Sequence, residues 1–244
     1  MLLLSATDNL ANFAITSLMK FSKIACLVVL AGLDYTASMF SQPAADTPAN
    51  TVGAQPLPAL LPRQKEIELA LSAAPEHLRK GAGVYALERN GFVKVRDSAN
   101  GFTCIVNRDH PLNQKPVCFD AEGTVTILPK ILRFGELLMQ GKPMPEIDAE
   151  IAEGFRTGKY ISPRRPGIAY MLSGDIRNFN PRTGKIESFP PHVMFYAPNL
   201  TNADLGTTPE ALAKNPRLPF VAYQGPHGFI IVLADSGKQM HLEH

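Results

Sequence analysis

Apolar positions along this chain change period several times, and each change marks an element. In 63–74, Ile67, Leu71 and Ala74 recur at helical spacing between Pro62 and Pro75, which predicts a short packing helix. Strand-like runs follow in "GVYALERNGFVKVRDSANGFTCIV", divided by Asn-Gly pairs at 90–91 and 100–101 that turn the chain readily. With "PVCF" at 116–119 they predict a meander of about four strands.

Helical spacing returns in the middle of the chain. "PKILRFGELLMQG" begins on Pro129 and stops before Gly141, and "PEIDAEIAEGFRTG" begins on Pro145 and stops before Gly158. Ile147, Ile151 and Phe155 repeat every fourth residue and give the second helix a packing face, while acids early and Arg156 late suit its dipole. Residues 167–173, 192–197, 219–224 and 228–234 are strand-like again, with "TTPEALAKN" a short helix before the third of them. Strands, then helices, then strands predict one α+β domain over 63–241. Its sheet is expected to be mainly antiparallel, an N-terminal meander plus C-terminal strands, with two or three helices packed on it.

The ends of the chain read differently. "MKFSK" at 19–23 followed by "IACLVVLAGL" has the basic and apolar regions of a secretory signal peptide, and Thr36-Ala37-Ser38 offers small residues for cleavage. Residues 1–42 are therefore expected to be an upstream extension plus signal peptide, and the protein to be exported, with no stable membrane span after processing. Residues 43–62 are rich in Pro, Ala and Thr without periodicity, as in a linker. Residues 242–244, Leu-Glu-His, resemble the scar of a histidine tag and carry no functional weight.

Composition narrows the class. The 244 residues are 45% hydrophobic and 19% charged with net charge +2, enough apolar material for a sizeable core. No basic run points to nucleic acid. Cys104 and Cys118 flank the polar loop "NRDHPLNQK", so they are expected to face each other across neighbouring antiparallel strands and pair as a disulfide in an oxidising compartment.

The chemical signals are sparse. The chain lacks G-x-S-x-G, H-E-x-x-H, G-x-x-x-x-G-K-[ST], G-x-G-x-x-G and C-x-x-C, which argues against α/β-hydrolase-type serine enzymes, zincins, P-loop enzymes and Rossmann dehydrogenases. What remains is a pair of histidines, His192 in "PPHVMFYAP" and His227 in "GPHGFIIVLA", each after a proline at the opening of a strand. If the two strands are neighbours and the imidazoles converge, a carboxylate beside them completes a site for a divalent metal, zinc or calcium, that activates water. Glu122 and Asp120 are the candidate acids, with Asp109 and Asp175 further choices and His110 a third imidazole. The simpler alternative makes both histidines turn residues bonded to backbone.

A second cluster is cationic: Arg164 and Arg165 in "SPRRPG", then Arg177, Arg182 and Lys185 in the long segment 174–191, where Phe179 and Phe189 add apolar surface. Long loops of this kind often wall a binding site. Two functions follow as expectations. One is hydrolysis of a small ester or lactone, with His192 and His227 holding a metal or acting as base, Glu122 or Asp120 completing the shell, and Tyr196 or Arg177 stabilising the oxyanion. The other is non-enzymatic capture of an anionic small molecule by an envelope protein through the basic loop.

Overall fold

Asn90 and Gly91 reverse the chain, Gly91 at φ 113°, and join strand β1 (Gly83–Glu88) to β2 (Gly91–Arg96) in an antiparallel hairpin. That turn is legible in the sequence; the next step departs from it. In the computed structural model, which describes residues 56–234, β2 ends level with the start of β1. Residues 97–102 cross that end, held by Ala99 N–H donating to Gly81 O at 2.7 Å and Asn100 Nδ2 donating to Leu78 O at 2.8 Å. The chain then enters β3 (Thr103–Asn107) on the far side of β1 and parallel to it. The expected meander is thus corrected: β1 lies between β2 and β3, and the sheet is mixed, though mostly antiparallel.

From β3 the sheet continues antiparallel through β4 (Lys115–Phe119), β5 (Ile168–Met171), β8 (His192–Tyr196), β10 (Phe229–Leu233) and β9 (Phe220–Ala222). Cys118 opposite Tyr170 and Phe119 opposite Ala169 join the two halves, so the eight strands form one sheet. Two more strands, β6 (Asn178–Asn180) and β7 (Lys185–Glu187), make a separate hairpin inside the segment 174–191.

Six helices occur among the described residues: α1 (Arg63–Ser72), α2 (Glu76–Arg79), α3 (Ala121–Thr126), α4 (Leu128–Met139), α5 (Met144–Arg156) and α6 (Pro209–Lys214). The sequence predicts α1, α4, α5 and α6; α2 and α3, of four and six residues, are not predicted by it. Side-chain alternation sends β3 and β4 two ways. Cys104, Val106 and Cys118 face α1, whose Ala70, with Ala73 and Ala74 after it, lets helix and sheet approach closely. Ile105, Val117 and Phe119 face α4 with Ala169, Met171, Met194 and Ile231. Leu137, Leu138 and Ile147 pack α4 against α5.

Cys104 and Cys118 are direct partners in the β3–β4 register, with Cα atoms 3.9 Å apart, and form the expected disulfide on the α1 side. Closing a loop of this size stabilises by about 3 kcal/mol through the unfolded state. No helix among the described residues is long and apolar enough to cross a membrane. The expected signal peptide, most of the 43–62 linker and the 242–244 scar lie outside the described residues; 56–62 contains neither helix nor strand.

The sheet is curled. Lys115 opens β4 and Tyr223 follows β9, with β5, β8 and β10 between them. In a flat sheet four strand spacings of ~4.8 Å would part these backbones by about 19 Å. Yet Lys115 Nζ donates to the Tyr223 hydroxyl at 3.0 Å and lies 5.6 Å from the centre of its ring. The α4 side of the sheet is therefore concave.

Candidate functional site

The concave face, roofed by α4 and α5, bounds a half-open cavity of about 580 Å³. Its floor is Val117, Phe119, Met171, Met194, Phe229 and Ile231, and its roof is Ile127, Ile131, Phe134, Met144 and Phe155. The 174–191 segment supplies part of the wall as the sequence anticipates, through Ile176, Asn178 and Phe189 rather than through its cations. A concave, mainly apolar space of this size with a few inward polar groups is the usual form of a small-molecule site.

Both strand-mouth histidines reach this cavity, at opposite ends. β8 and β10 are antiparallel neighbours, so the start of one lies beside the finish of the other: His192 pairs with Leu233, and Phe229 with Tyr196. Four residue steps of ~3.4 Å separate Leu233 from Phe229 by about 14 Å, and His227 sits two residues beyond. One metal ion with ligand bonds near ~2 Å does not reach both imidazoles. Among the described residues no group of three or more His, Cys, Asp or Glu is gathered to hold a metal.

Each imidazole is tied down by one nitrogen. His192 Nδ1 is 2.8 Å from Pro190 O and His227 Nε2 is 2.9 Å from Ile161 O. A carbonyl only accepts, so those nitrogens carry the protons and the other nitrogen of each ring is left with a bare lone pair. His227 Nδ1 is buried and has no hydrogen-bond partner. Burial lowers the pKa of both rings; that of His227 is held down to about 4, with the Lys130 charge adding to burial. The rings rest edge-on against Phe189 and Phe155, with centroids 4.8 and 4.7 Å apart.

The two candidate acids belong elsewhere. Asp120 caps α3 by accepting from Gly123 N at 2.9 Å, takes the Tyr196 hydroxyl at 2.8 Å on the same oxygen, and accepts from Ile168 N at 2.9 Å on the other. Glu122 is buried but accepts from Arg164 N at 2.8 Å and Arg165 Nε at 3.0 Å, which gives two of the "SPRRPG" residues a structural task. Tyr196, Asp120 and Glu122 are not among the residues lining the cavity. Arg177 is not either: its backbone bridges to Gln114, and its side chain lines a separate polar depression with Asp175 and Lys65.

Of the ionic groups that do face the cavity, the sequence offers Asp109 as a further acid but gives no place to Lys115 or Lys130. Asp109 accepts from Asn113 Nδ2 at 2.6 Å on one oxygen and pairs with Lys115 through the other. Burial presses the Lys115 pKa down, but Asp109 and the Tyr223 phenol outweigh it, and the net shift is upward. Tyr223 sits in the left-handed region at φ 57° and is 62% exposed, an uncommon backbone state for a tyrosine, with its hydroxyl bonded across the cavity mouth. Lys130, in the first turn of α4, also lines the cavity, and no hydrogen bond or ion pair holds its ammonium among the described residues. Burial lowers its pKa, with Asp109 opposing the shift and Lys115 adding to it. The only signal in sequence was negative: Lys130 is a cation in the first turn of a helix, where the dipole disfavours it.

Comparison of the chain with family models, with curated proteins and with solved structures finds no match.

Proposed function

We propose that this protein binds a small, predominantly apolar molecule in the cavity between the curled sheet and helices α4 and α5. The observation that carries this reading is the cavity itself: about 580 Å³ of half-open, largely hydrocarbon-walled space between the sheet and the α4–α5 roof. Its location beneath a strained tyrosine bonded across the mouth supports entry and exit on the β9 side. The buried Cys104–Cys118 disulfide supports a place of work outside the cytoplasm, as for an exported carrier or envelope protein. The anionic capture expected of the basic loop moves, in this reading, from the loop to the cavity.

The test is titration with Nile red, an uncharged apolar dye. Saturable one-to-one binding with a blue-shifted emission is expected, together with its loss in Ala222→Trp, which places an indole inside the cavity from the edge strand. Absence of saturable binding by the unaltered protein overturns the reading.

Hydrolysis of a small ester or lactone is the second reading, and the bare lone pair of His227 Nδ1, on a residue that lines the cavity, favours it. Here the imidazole acts alone as base on water, because Asp120 and Glu122 are committed to other partners. Its test is turnover of p-nitrophenyl butyrate with and without a chelator. Turnover that survives the chelator and falls in His227→Ala supports it; no turnover on the ester or on an acyl lactone removes it.

A further inference from the structure

Two acids and two lysines line the cavity, yet only one acid and one lysine are paired there. Asp109 is fully engaged, one oxygen by Asn113 and the other by Lys115. His227 is neutral, and its protonated nitrogen is spent on Ile161 O. Asp148, on α5, also lines the cavity but is exposed, and it forms no ion pair among the described residues. Lys130 is left over, a half-buried lysine lining the cavity, with no hydrogen bond or ion pair of its own among the described residues. A half-buried charge without a partner is unfavourable, and a cation in the first turn of α4 also opposes the helix dipole.

We propose that the ligand of this cavity is an amphiphile with one carboxylate, and that Lys130 is the counter-ion that selects and orients it. The inference rests on the reading of the cavity as a ligand site and adds the chemistry of the head group. The carboxylate takes the place left by the missing acid and accepts from the Lys130 ammonium, while the Lys115–Asp109 pair beside it stays intact. The aliphatic or cyclic remainder covers Met171, Met194 and Ile231 on the floor. The lowered pKa of Lys130 fits a cation waiting for its anion, because pairing restores what burial removed.

Three ligands with one tail and different heads test this: decanoate, decanol and decylamine, each below its aggregation threshold, competing against Nile red at pH 7.5. The expected result is decanoate binding about tenfold or more tightly than decanol, the effect of one charge-assisted hydrogen bond, with decylamine weakest. Lys130→Met is expected to remove the preference for decanoate, and Lys130→Arg to keep it, with thermal midpoints reporting that both variants fold. Equal affinity for decanoate and decanol in the unaltered protein overturns the head-group assignment while leaving the cavity reading standing. So does a preference that persists in Lys130→Met. Failure of every ligand, Nile red included, overturns both.

Discussion

The Tyr196 hydroxyl donates to Asp120 Oδ1 at 2.8 Å, the same oxygen that caps α3 through Gly123 N, while Asp120 Oδ2 accepts from Ile168 N. One carboxylate thus fastens β8, β5 and the start of α3. The fit is close: a Cβ added at Gly167 would lie 2.5 Å from both Asp120 Oδ2 and Tyr196 Cε2. Burial, and then the carboxylate, push the phenol pKa far above its ordinary value, so Tyr196 is a structural donor. Tyr196→Phe is expected to destabilise the fold by about 1–2 kcal/mol in urea and to leave Nile red affinity unchanged. A large loss of binding at constant stability would return Tyr196 to the site.

Glu66 and Arg108 form an ion pair in which each side chain is only 1% exposed, with Nη2 2.8 Å from Oε2. It pins α1 to the end of β3, yet Glu66 Oε1 and Arg108 Nε have no partner. Removing one charge strands the other, whereas removing both does not. Arg108→Met is therefore expected to cost about 3–5 kcal/mol, and adding Glu66→Leu to recover most of it. Urea unfolding of the two single variants and the double variant reads the coupling directly.

This pair also marks where the sequence stopped being legible. Periodicity placed α1 and pointed to Ile67, Leu71 and Ala74 as its packing face. The structure buries Glu66 and Ala70 more deeply than Ile67 or Leu71, because a partner 42 residues away compensates the acid. Long-range pairing is absent from local pattern. The disulfide was legible, since both cysteines flank one short loop, and so were α4, α5 and the C-terminal strands. The parallel β1–β3 contact was not, since it depends on how residues 97–102 bond to Gly81 and Leu78. For the site, sequence found His192 and His227 as strand openers, and antiparallel pairing then fixes their starts at opposite ends. Asp109 was legible as a candidate acid, but Lys130 and the pairing of Asp109 with Lys115 became visible only when the sheet curled.

His227 gives a pH dependence with a definite sign. Its folded pKa is depressed to about 4 from an ordinary 6.5, so the folded state prefers the neutral ring. The stability this contributes is fully present above 6.5 and is lost as pH falls toward about 4, where the unfolded chain binds a proton that the folded chain refuses. The thermal midpoint is expected to fall between pH 6.5 and 5 in the unaltered protein and to fall less in His227→Gln. Identical profiles for the two would mean that the ring is not held neutral by its burial.

Lys130 gives the opposite kind of dependence, one of affinity. Burial lowers its pKa in the free protein below the ordinary 10.5, and a bound carboxylate raises it again. Between those two values decanoate must bring a proton with it, so its affinity falls by up to about tenfold per pH unit once pH passes the lowered value, and buffers of different ionisation enthalpy report proton uptake. Decanol has no such coupling and is expected to bind equally across the range. Lys130→Arg carries a guanidinium that stays protonated, so its decanoate affinity is expected to hold where that of the unaltered protein declines. Calorimetric titrations from pH 7 to 11, past the ordinary value of 10.5, separate these cases. A decanoate affinity that stays flat in the unaltered protein would place the carboxylate away from Lys130.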